Sequence, residues 1–375
     1  MKPLAILGIV SYKVFPAQMG GQKCVAGFYE ALSKQASVTL AVAKENPAQE
    51  EPFPVLPFLF NHWKGLLNIL FLFKLSKLVR RRNVDVIIIE HSYFGWLGVL
   101  LRKITGKPFV IRSHNIESHR FRDMRRWWWR LYLLYEGWAH RCADHGFFIT
   151  MEDMNWALPH WNLSADKCSV ISYCIDAPPV ISPAQRHEYR RQLCFHHQLP
   201  ESTRLFLFCG SFDYLPNTDA LRIIITEIIP LLRTRDIEAR IFICGSNLDK
   251  EWISALKKYP EIIYPGFVPD ISNYWYGTDY FINPVTLGSG LRIKLVEALA
   301  NGMSCISTAR GASGIPVTLT GGKLKVVADY DWATFVGVVS DKWQLSPNDP
   351  IPTDFFTAFD SQTLVTKALL SLQTL

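Results

Sequence analysis

The eight cysteines of this 375-residue chain never form a Cys-x-x-Cys pair, so the spacing of dithiol redox and thiolate-metal motifs is missing. They fall instead in apolar segments such as Leu205 to Cys209 and Ile241 to Cys244, where they read as small core residues of a reducing compartment. No apolar run reaches the ~20 residues of a bilayer span. The longest, Leu66 to Val79, is interrupted by Lys74 and Lys77, and no transmembrane helix is expected. The opening MKPLAILGIVSYKVFP breaks at Ser11 to Lys13 with no small-residue cleavage site behind it, which favours a buried first strand over a signal peptide. G-x-G-x-x-G is absent, which argues against a nicotinamide dehydrogenase. No tight cluster of oxygen ligands suggests a metal cage, so no metal site is expected. There is no internal repeat and no low-complexity tract. Acidic residues are the scarcer charged class, 33 against 40 lysines and arginines, and the formal net charge of +7 favours anionic partners.

What is present is a chain 49% hydrophobic and long enough for two α/β cores. Short apolar runs alternate with helix-length segments at Leu4–Val10, Val38–Val42, Val84–Ile89, Phe109–Ile111, Phe147–Thr150 and Cys168–Ser172. Such runs are strands buried on both faces of a mainly parallel sheet. The pattern pauses from Asp176 to Thr203, around one short helix. It resumes at Leu205–Cys209, Arg240–Cys244, Glu261–Tyr264, Asp279–Asn283, Cys305–Thr308 and Leu324–Val327. Pro216 is expected to open a helix and Pro230 to end it. The tail from Phe355 to Leu375 reads as one helix with an apolar stripe of Ala358, Leu364, Ala368, Leu369 and Leu372. The expected organisation is a domain over 1–178, a second over 179–350, and a terminal helical segment over 351–375.

The segment FINPVTLGSGLRIKLVEALANGMSCIST places strand, glycine turn, helix and strand in immediate succession. Gly288, Ser289 and Gly290 permit close backbone approach, and a helix expected to begin near Leu291 offers unpaired amides to an anion. With Leu291, Leu295, Ala298 and Leu299 on its packed face, Arg292 falls in the first turn and Lys294 and Glu297 on other faces. Two cations at a helix start suit a diphosphate, and Glu297 suits a ribose diol or sugar hydroxyls. The plainer alternative is that Lys294 and Glu297, at i and i+3, form a surface ion pair. Gly311 and Gly314 of ARGASGIP bring backbone to a nucleotide or sugar, or belong to an ordinary loop. Gly210 and Ser211, at a strand end, are assigned to contacts near the donor phosphate, with Asn217 capping or beginning the next helix. Asp213 and Asp219 form no metal cluster.

In the first half, Gly20 and Gly21 precede a helix expected near Gln22, where amides meet an anionic group or a sugar. His114, Asn115 and Glu117 stand just beyond the apolar run of VIRSHNIESHRF, and His91 follows VIIIE as a second wall residue. HRFRDMRRWWWRLYLLYEGW carries five arginines between Arg120 and Arg130. Arg122, Arg125, Arg126, Trp127 and Trp128 make it a candidate acceptor or anionic membrane contact. The competing readings are simple packing through Leu131, Leu134 and Tyr135, and nucleic-acid stacking, which is the least favoured.

MGGQK at 19–23, IRSHNIE at 111–117, CADHGFFITMED at 142–153, SYCID at 172–176, FCGSFDYLPNTDA at 208–220 and GSGLRIKLVEALANG at 288–302 together resemble the retaining family 4 glycosyltransferases, group 1 type. The resemblance covers nearly the whole chain. It implies a GT-B fold, with two Rossmann-like α/β domains facing each other across a deep cleft and a C-terminal helix returning to the N-terminal domain. That domain then binds the acceptor, and the C-terminal one the nucleotide-sugar donor. It further implies Glu297 on the ribose, His114 on the donor sugar, and Arg292 and Lys294 as catalytic stabilisers of the leaving diphosphate. Ser289 replaces one of a usual pair of glutamates, Ser211 and Asn217 approximately replace a usual basic pair, and Cys174 stands where glycine is common. The implied activity is hexosyl transfer from a UDP- or GDP-sugar to a glycan or lipid-linked acceptor in cell-envelope polysaccharide, lipopolysaccharide or glycolipid synthesis. No cofactor is expected, and the location implied is cytoplasmic or peripheral on the membrane. The alternatives are a sugar-nucleotide epimerase or hydrolase, and a degenerate binding or membrane-interaction module without catalysis.

Overall fold

Seven strands pair in parallel in the first half of the computed structural model: β1 (Ala5–Val10), β2 (Ser37–Ala43), β3 (Val55–Leu59), β4 (Val86–Glu90), β5 (Phe109–Ser113), β6 (His145–Phe148) and β7 (Cys168–Val170). The structure describes residues 3–17, 19–49, 52–175, 177–288, 290–340 and 351–375. The strand order is β3-β2-β1-β4-β5-β6-β7, so the chain reverses direction across the sheet between β1 and β4. Side chains of β1 alternate between two cores. Ile6 and Val10 face the helices Gly20–Ser33 and Ser361–Gln373, while Leu7 and Ile9 face Leu72–Arg81, Gly95–Thr105 and Trp129–Cys142. Burial on both faces explains the uninterrupted apolar runs of these strands. β3 escaped sequence reading because Pro54 and Pro57 break its pattern. As the edge strand it tolerates them, since one side needs no ladder donors.

The second sheet contains β8 (Arg204–Cys209), β9 (Ala239–Cys244), β10 (Ile262–Gly266), β11 (Tyr280–Asn283), β12 (Ser304–Thr308) and β13 (Leu324–Val327), in the order β10-β9-β8-β11-β12-β13. This is the 3-2-1-4-5-6 order of a Rossmann domain, with its switch point between β8 and β11. Contacts divide the chain into one unit of Met1–Asp176, Ser289–Leu291 and Thr357–Leu375 and another of Ala177–Gly288 and Arg292–Phe356.

Several local expectations need correction. Pro230 does not end the helix that Pro216 opens. Leu215–Ile223 passes into a π-helical turn at Ile224–Ile228, and Ile229–Thr234 continues with Pro230 in its first turn. The wider turn accommodates a residue that has no amide hydrogen. The tail is two helices, Thr353–Phe359 and Ser361–Gln373, because Asp360 caps the second by accepting from the Thr363 amide at 2.7 Å. The tail's second helix returns to the first unit, where Leu364, Val365, Ala368, Leu369 and Leu372 complete the core beside Gly20–Ser33. The basic aromatic segment is likewise two helices, Glu117–Asp123 and Trp129–Cys142, separated by a turn in which Arg125 has φ 54°. Leu131 and Leu134, which the alternative of simple packing turned inward, are exposed.

Candidate functional site

Open α/β sheets hold ligands beyond the carboxyl ends of their strands, at the switch point. In the second unit the sequence-derived glycines lie at such ends. Gly210 and Ser211 follow β8, the 284–288 turn follows β11, and Gly311 and Gly314 follow β12. Gly288 has φ 79°, in the left-handed region, and a Cβ there would meet Tyr214 Oη at 3.0 Å and Pro216 at 3.1 Å from the β8 side. At Gly311 a Cβ would come within 2.5 Å of the Asn283 amide and 2.6 Å of Ser307 Oγ, so only glycine fits. Asn283 Nδ2 donates to the Gly311 carbonyl at 3.0 Å and to Ser307 Oγ at 2.9 Å, which ties the ends of β11 and β12 together. Gly314 also has positive φ, 82°. Ser211 Oγ donates to Asp213 at 2.6 Å, and Asp219 pairs with Arg222 at 2.7 Å. Asn217 neither caps nor begins the helix, since Tyr214 is the cap; its Nδ2 donates to the Ser211 carbonyl at 2.7 Å.

The helix after the glycine turn runs Ile293–Ala300. It starts two residues later than expected, with Arg292 as N-cap and Leu291 outside it, because Arg292 keeps extended backbone while its Nη2 donates to the Leu287 carbonyl at 2.7 Å. Lys294 Nζ donates to Glu297 Oε2 at 2.6 Å, so the two form the plainer i,i+3 pair. Burial opposes the charge on Lys294, yet neighbouring Cys209 and the Glu297 carboxylate leave its pKa raised, so it is a fixed cation near the end of β8. Gly290 has φ 83° and, with Leu291, groups with the first unit. Ser289 lies outside the described residues.

In the first unit, Gly20 and Gly21 are the first two residues of the helix Gly20–Ser33 that follows β1, so their amides are among those left without helical acceptors. Past β4 and β5 lies a buried charged network. Glu90, the last residue of β4, and Arg112, on β5, are fully buried and paired at 3.1 Å. His114 Nε2–H donates to the same Glu90 oxygen at 2.6 Å. The His114 ring stacks on His91, centroids 4.2 Å apart. His91 Nδ1–H donates to Glu117 at 2.9 Å, and Glu117 also accepts from Tyr93 Oη at 2.5 Å, Arg120 at 3.0 Å and Asn115 at 3.2 Å. Glu136 accepts from the Glu117 and Ser118 amides at 2.9 and 3.0 Å, fixing the start of the helix Glu117–Asp123. His91 has φ 60° and ψ 161°, a region populated almost only by glycine, which costs about 1–3 kcal/mol and persists only where the surroundings hold it.

Electrostatics sort these groups. Burial pushes the Glu90 carboxyl upward, but Arg112 and His114 overcome it and hold its pKa down at about 2. Burial, then His91, lowers His114 to about 4 despite Glu90, so at neutral pH it is an uncharged imidazole with its proton on Nε2. Its Nδ1 then carries a lone pair able to accept from a hydroxyl. Burial also works against the Glu117 charge, yet the His91 hydrogen bond and Arg120 hold its pKa well below the usual range. Between pH 6.5 and 4 the unfolded chain binds a proton at His114 that the folded chain refuses, so the stability contribution present above pH 6.5 is lost as pH falls. Glu90 adds a loss as pH falls from 4.5 toward 2. Any fall in the midpoint of urea unfolding from pH 7 to pH 4 is therefore expected to be smaller in His114→Gln than in the wild type, while Glu136, whose carboxyl burial raises to about 7, works in the opposite direction in both proteins; an equal slope in both would remove His114 from the balance.

Sequence reasoning missed Glu90, Arg112 and Glu136. The available signal was a charge at the end of VIIIE and another inside FVIRS, both strands otherwise apolar. Arg122, Arg125, Arg126 and Trp127 are exposed in or beside the turn before Trp129, whereas Trp128 packs on Phe121 at 4.5 Å and on Tyr132 at 6.1 Å.

Residues 203–340 match the family described as glycosyl transferases group 1, and residues 19–177 match glycosyltransferase family 4. The fold is shared with sucrose-phosphate synthase from Thermosynechococcus elongatus, at 15% identity over 98% of both chains and a TM-score of 0.76. The chain is a glycosyltransferase of the GT-B type. Anabaena HepE, solved with UDP, resembles this GT-B chain over 100% of both at 16% identity and a TM-score of 0.76; a further structure of HepE contains UDP-glucose. WaaG, a glycosyltransferase involved in lipopolysaccharide biosynthesis, resembles it at 14% identity over 96% of this chain and 98% of that one, with a TM-score of 0.65. No curated protein matches this glycosyltransferase by sequence.

Proposed function

We propose that the chain transfers a sugar from a nucleotide-sugar donor, UDP- or GDP-linked, to a glycan or lipid-linked acceptor with retention of anomeric configuration. The reading rests chiefly on the second unit's glycine turns at the ends of β8, β11 and β12, with Lys294 as a fixed cation beside them. Oriented amides and a cation are the groups that stabilise a departing diphosphate. As that bond breaks the anomeric carbon gains oxocarbenium character. Arg292, Lys294 and turn amides would take up the charge growing on phosphate, and the acceptor hydroxyl would attack from the same face while donor phosphate takes its proton. No protein nucleophile is needed. Glu297 would hold the ribose once a donor draws it from Lys294, and the neutral His114 would orient the sugar through its Nδ1 lone pair.

The UDP and UDP-glucose bound by Anabaena HepE support a UDP-sugar as the first donor to try, and the role of WaaG supports an envelope acceptor. Mass spectrometry of the purified protein, followed by calorimetry with UDP- and GDP-sugars, tests the donor. The anomeric configuration of the product, read by NMR, tests retention. Free sugar released without acceptor would favour a hydrolase, interconversion of the donor an epimerase, and binding without turnover a degenerate module. Failure of both donor classes to bind would overturn the reading.

A further inference from the structure

From Pro52 to Val84 the chain carries six basic residues, Lys64, Lys74, Lys77, Arg80, Arg81 and Arg82, and no aspartate or glutamate. A 3-10 helix, His62–Phe71, runs directly into the α-helix Leu72–Arg81. The 3-10 helix is inside out. Its buried residues are Gly65 and Asn68. Asn68 donates to the Phe60 carbonyl at 3.0 Å and accepts from its amide at 2.7 Å, and a Cβ on Gly65 would lie 2.9 Å from the Phe94 ring. The outward side chains are the apolar ones: Trp63 is 79% exposed, Leu66 72%, Leu70 70% and Phe73 82%. A repeat of three places Gly65 and Asn68 on one side and Trp63, Leu66 and Leu70 on the others, while Phe73 follows in the first turn of the α-helix.

The α-helix anchors this segment through Leu72, Leu75 and Val79 and leaves Lys74, Lys77, Arg80 and Arg81 exposed. It packs on Gly95–Thr105, which packs on Trp129–Cys142, all in the helix layer that covers one face of the first sheet. In that layer Leu131 and Leu134 are also exposed, just after Arg125, Arg126 and an 84% exposed Trp127. Met124 to Tyr135 again contains no acidic residue. Exposed apolar side chains on this scale mark a surface that meets something apolar.

We infer that this surface seats the protein on an anionic lipid bilayer. The apolar side chains of residues 63–73 enter the boundary between headgroups and acyl chains, and the lysines and arginines meet lipid phosphates. Charge selects the occupant: a second copy would bring an identical basic patch against this one, whereas anionic headgroups complement it. Among the described residues no helix is long and apolar enough to cross a membrane, so the segment lies on the bilayer. The inference is independent of sugar transfer.

Flotation of the full chain with phosphatidylcholine vesicles, with and without phosphatidylglycerol, needs no sugar nucleotide and so is blind to the donor chemistry. The wild type is expected to float with anionic vesicles and to be released by salt. Leu66→Ser combined with Leu70→Ser and Phe73→Ser is expected to lower the bound fraction about tenfold or more. Lys74→Glu combined with Lys77→Glu and Arg81→Glu is expected to abolish the preference for anionic lipid. All six positions are exposed, so thermal unfolding should be unchanged. A wild type that stays in the pellet, triple variants that float like it, or a wild-type dimer that the serine variant makes monomeric would overturn the proposal.

Discussion

Glu90→Ala is expected to lower the unfolding free energy by about 3–5 kcal/mol, because it strands the fully buried Arg112 as an uncompensated charge. Arg112 has little else to turn to. Its Nη2 reaches the Cys24 carbonyl at 3.5 Å and its guanidinium lies over the Phe28 ring at 4.2 Å, neither of which replaces a carboxylate. The same substitution removes the acceptor that fixes the His114 proton on Nε2, so activity should fall in whatever protein remains folded. Glu90→Gln separates the two effects. It keeps an acceptor for His114 while removing the charge, and the damage should then fall mainly on stability. Urea unfolding followed by circular dichroism, beside initial rates on the folded fraction, gives both readings. An alanine variant as stable as the wild type would mean that water enters and solvates Arg112.

Lys294→Ala should reduce kcat by about 100- to 1000-fold, the cost typical of removing one preorganised group that stabilises charge developing in a transition state. Stability should barely change, since a partly exposed i,i+3 pair contributes about 0.2–0.5 kcal/mol. The substitution also removes the Lys294 contact that competes with a donor for Glu297, so KM for the donor should shift less than kcat. Lys294→Arg should recover part of the rate, because charge matters more here than a compact ammonium. Steady-state kinetics on the cognate donor and acceptor decides. A variant with unchanged kcat would leave the Lys294–Glu297 contact as a surface ion pair and move the phosphate site elsewhere.

The central strands were legible because they are buried on both faces, so hydrophobicity alone marked them, and the two series followed from the pause around Pro183–His196. β3 was not, since its prolines are acceptable only to an edge, and an edge is a fact of topology. The glycine turns after β8, β11 and β12 could be placed from strand ends. What the sequence does not carry is the geometry of pairs. Glu90 and His114 are 24 positions apart and meet because β4 and β5 are neighbours. For Lys294 and Glu297 the i,i+3 spacing left a ligand role and an ion pair both open, and only the side-chain geometry shows the pair.

The return of Ser361–Gln373 to the first sheet makes that unit discontinuous along the chain, with its last apolar contributors encoded after the whole of the second. A first unit emerging from the ribosome therefore keeps its flank beside Gly20–Ser33 open until Ser361–Gln373 has been made. A nascent chain of this kind depends on the second sheet forming without entangling the first, and any truncation upstream of Asp360 strips a wall from the first unit.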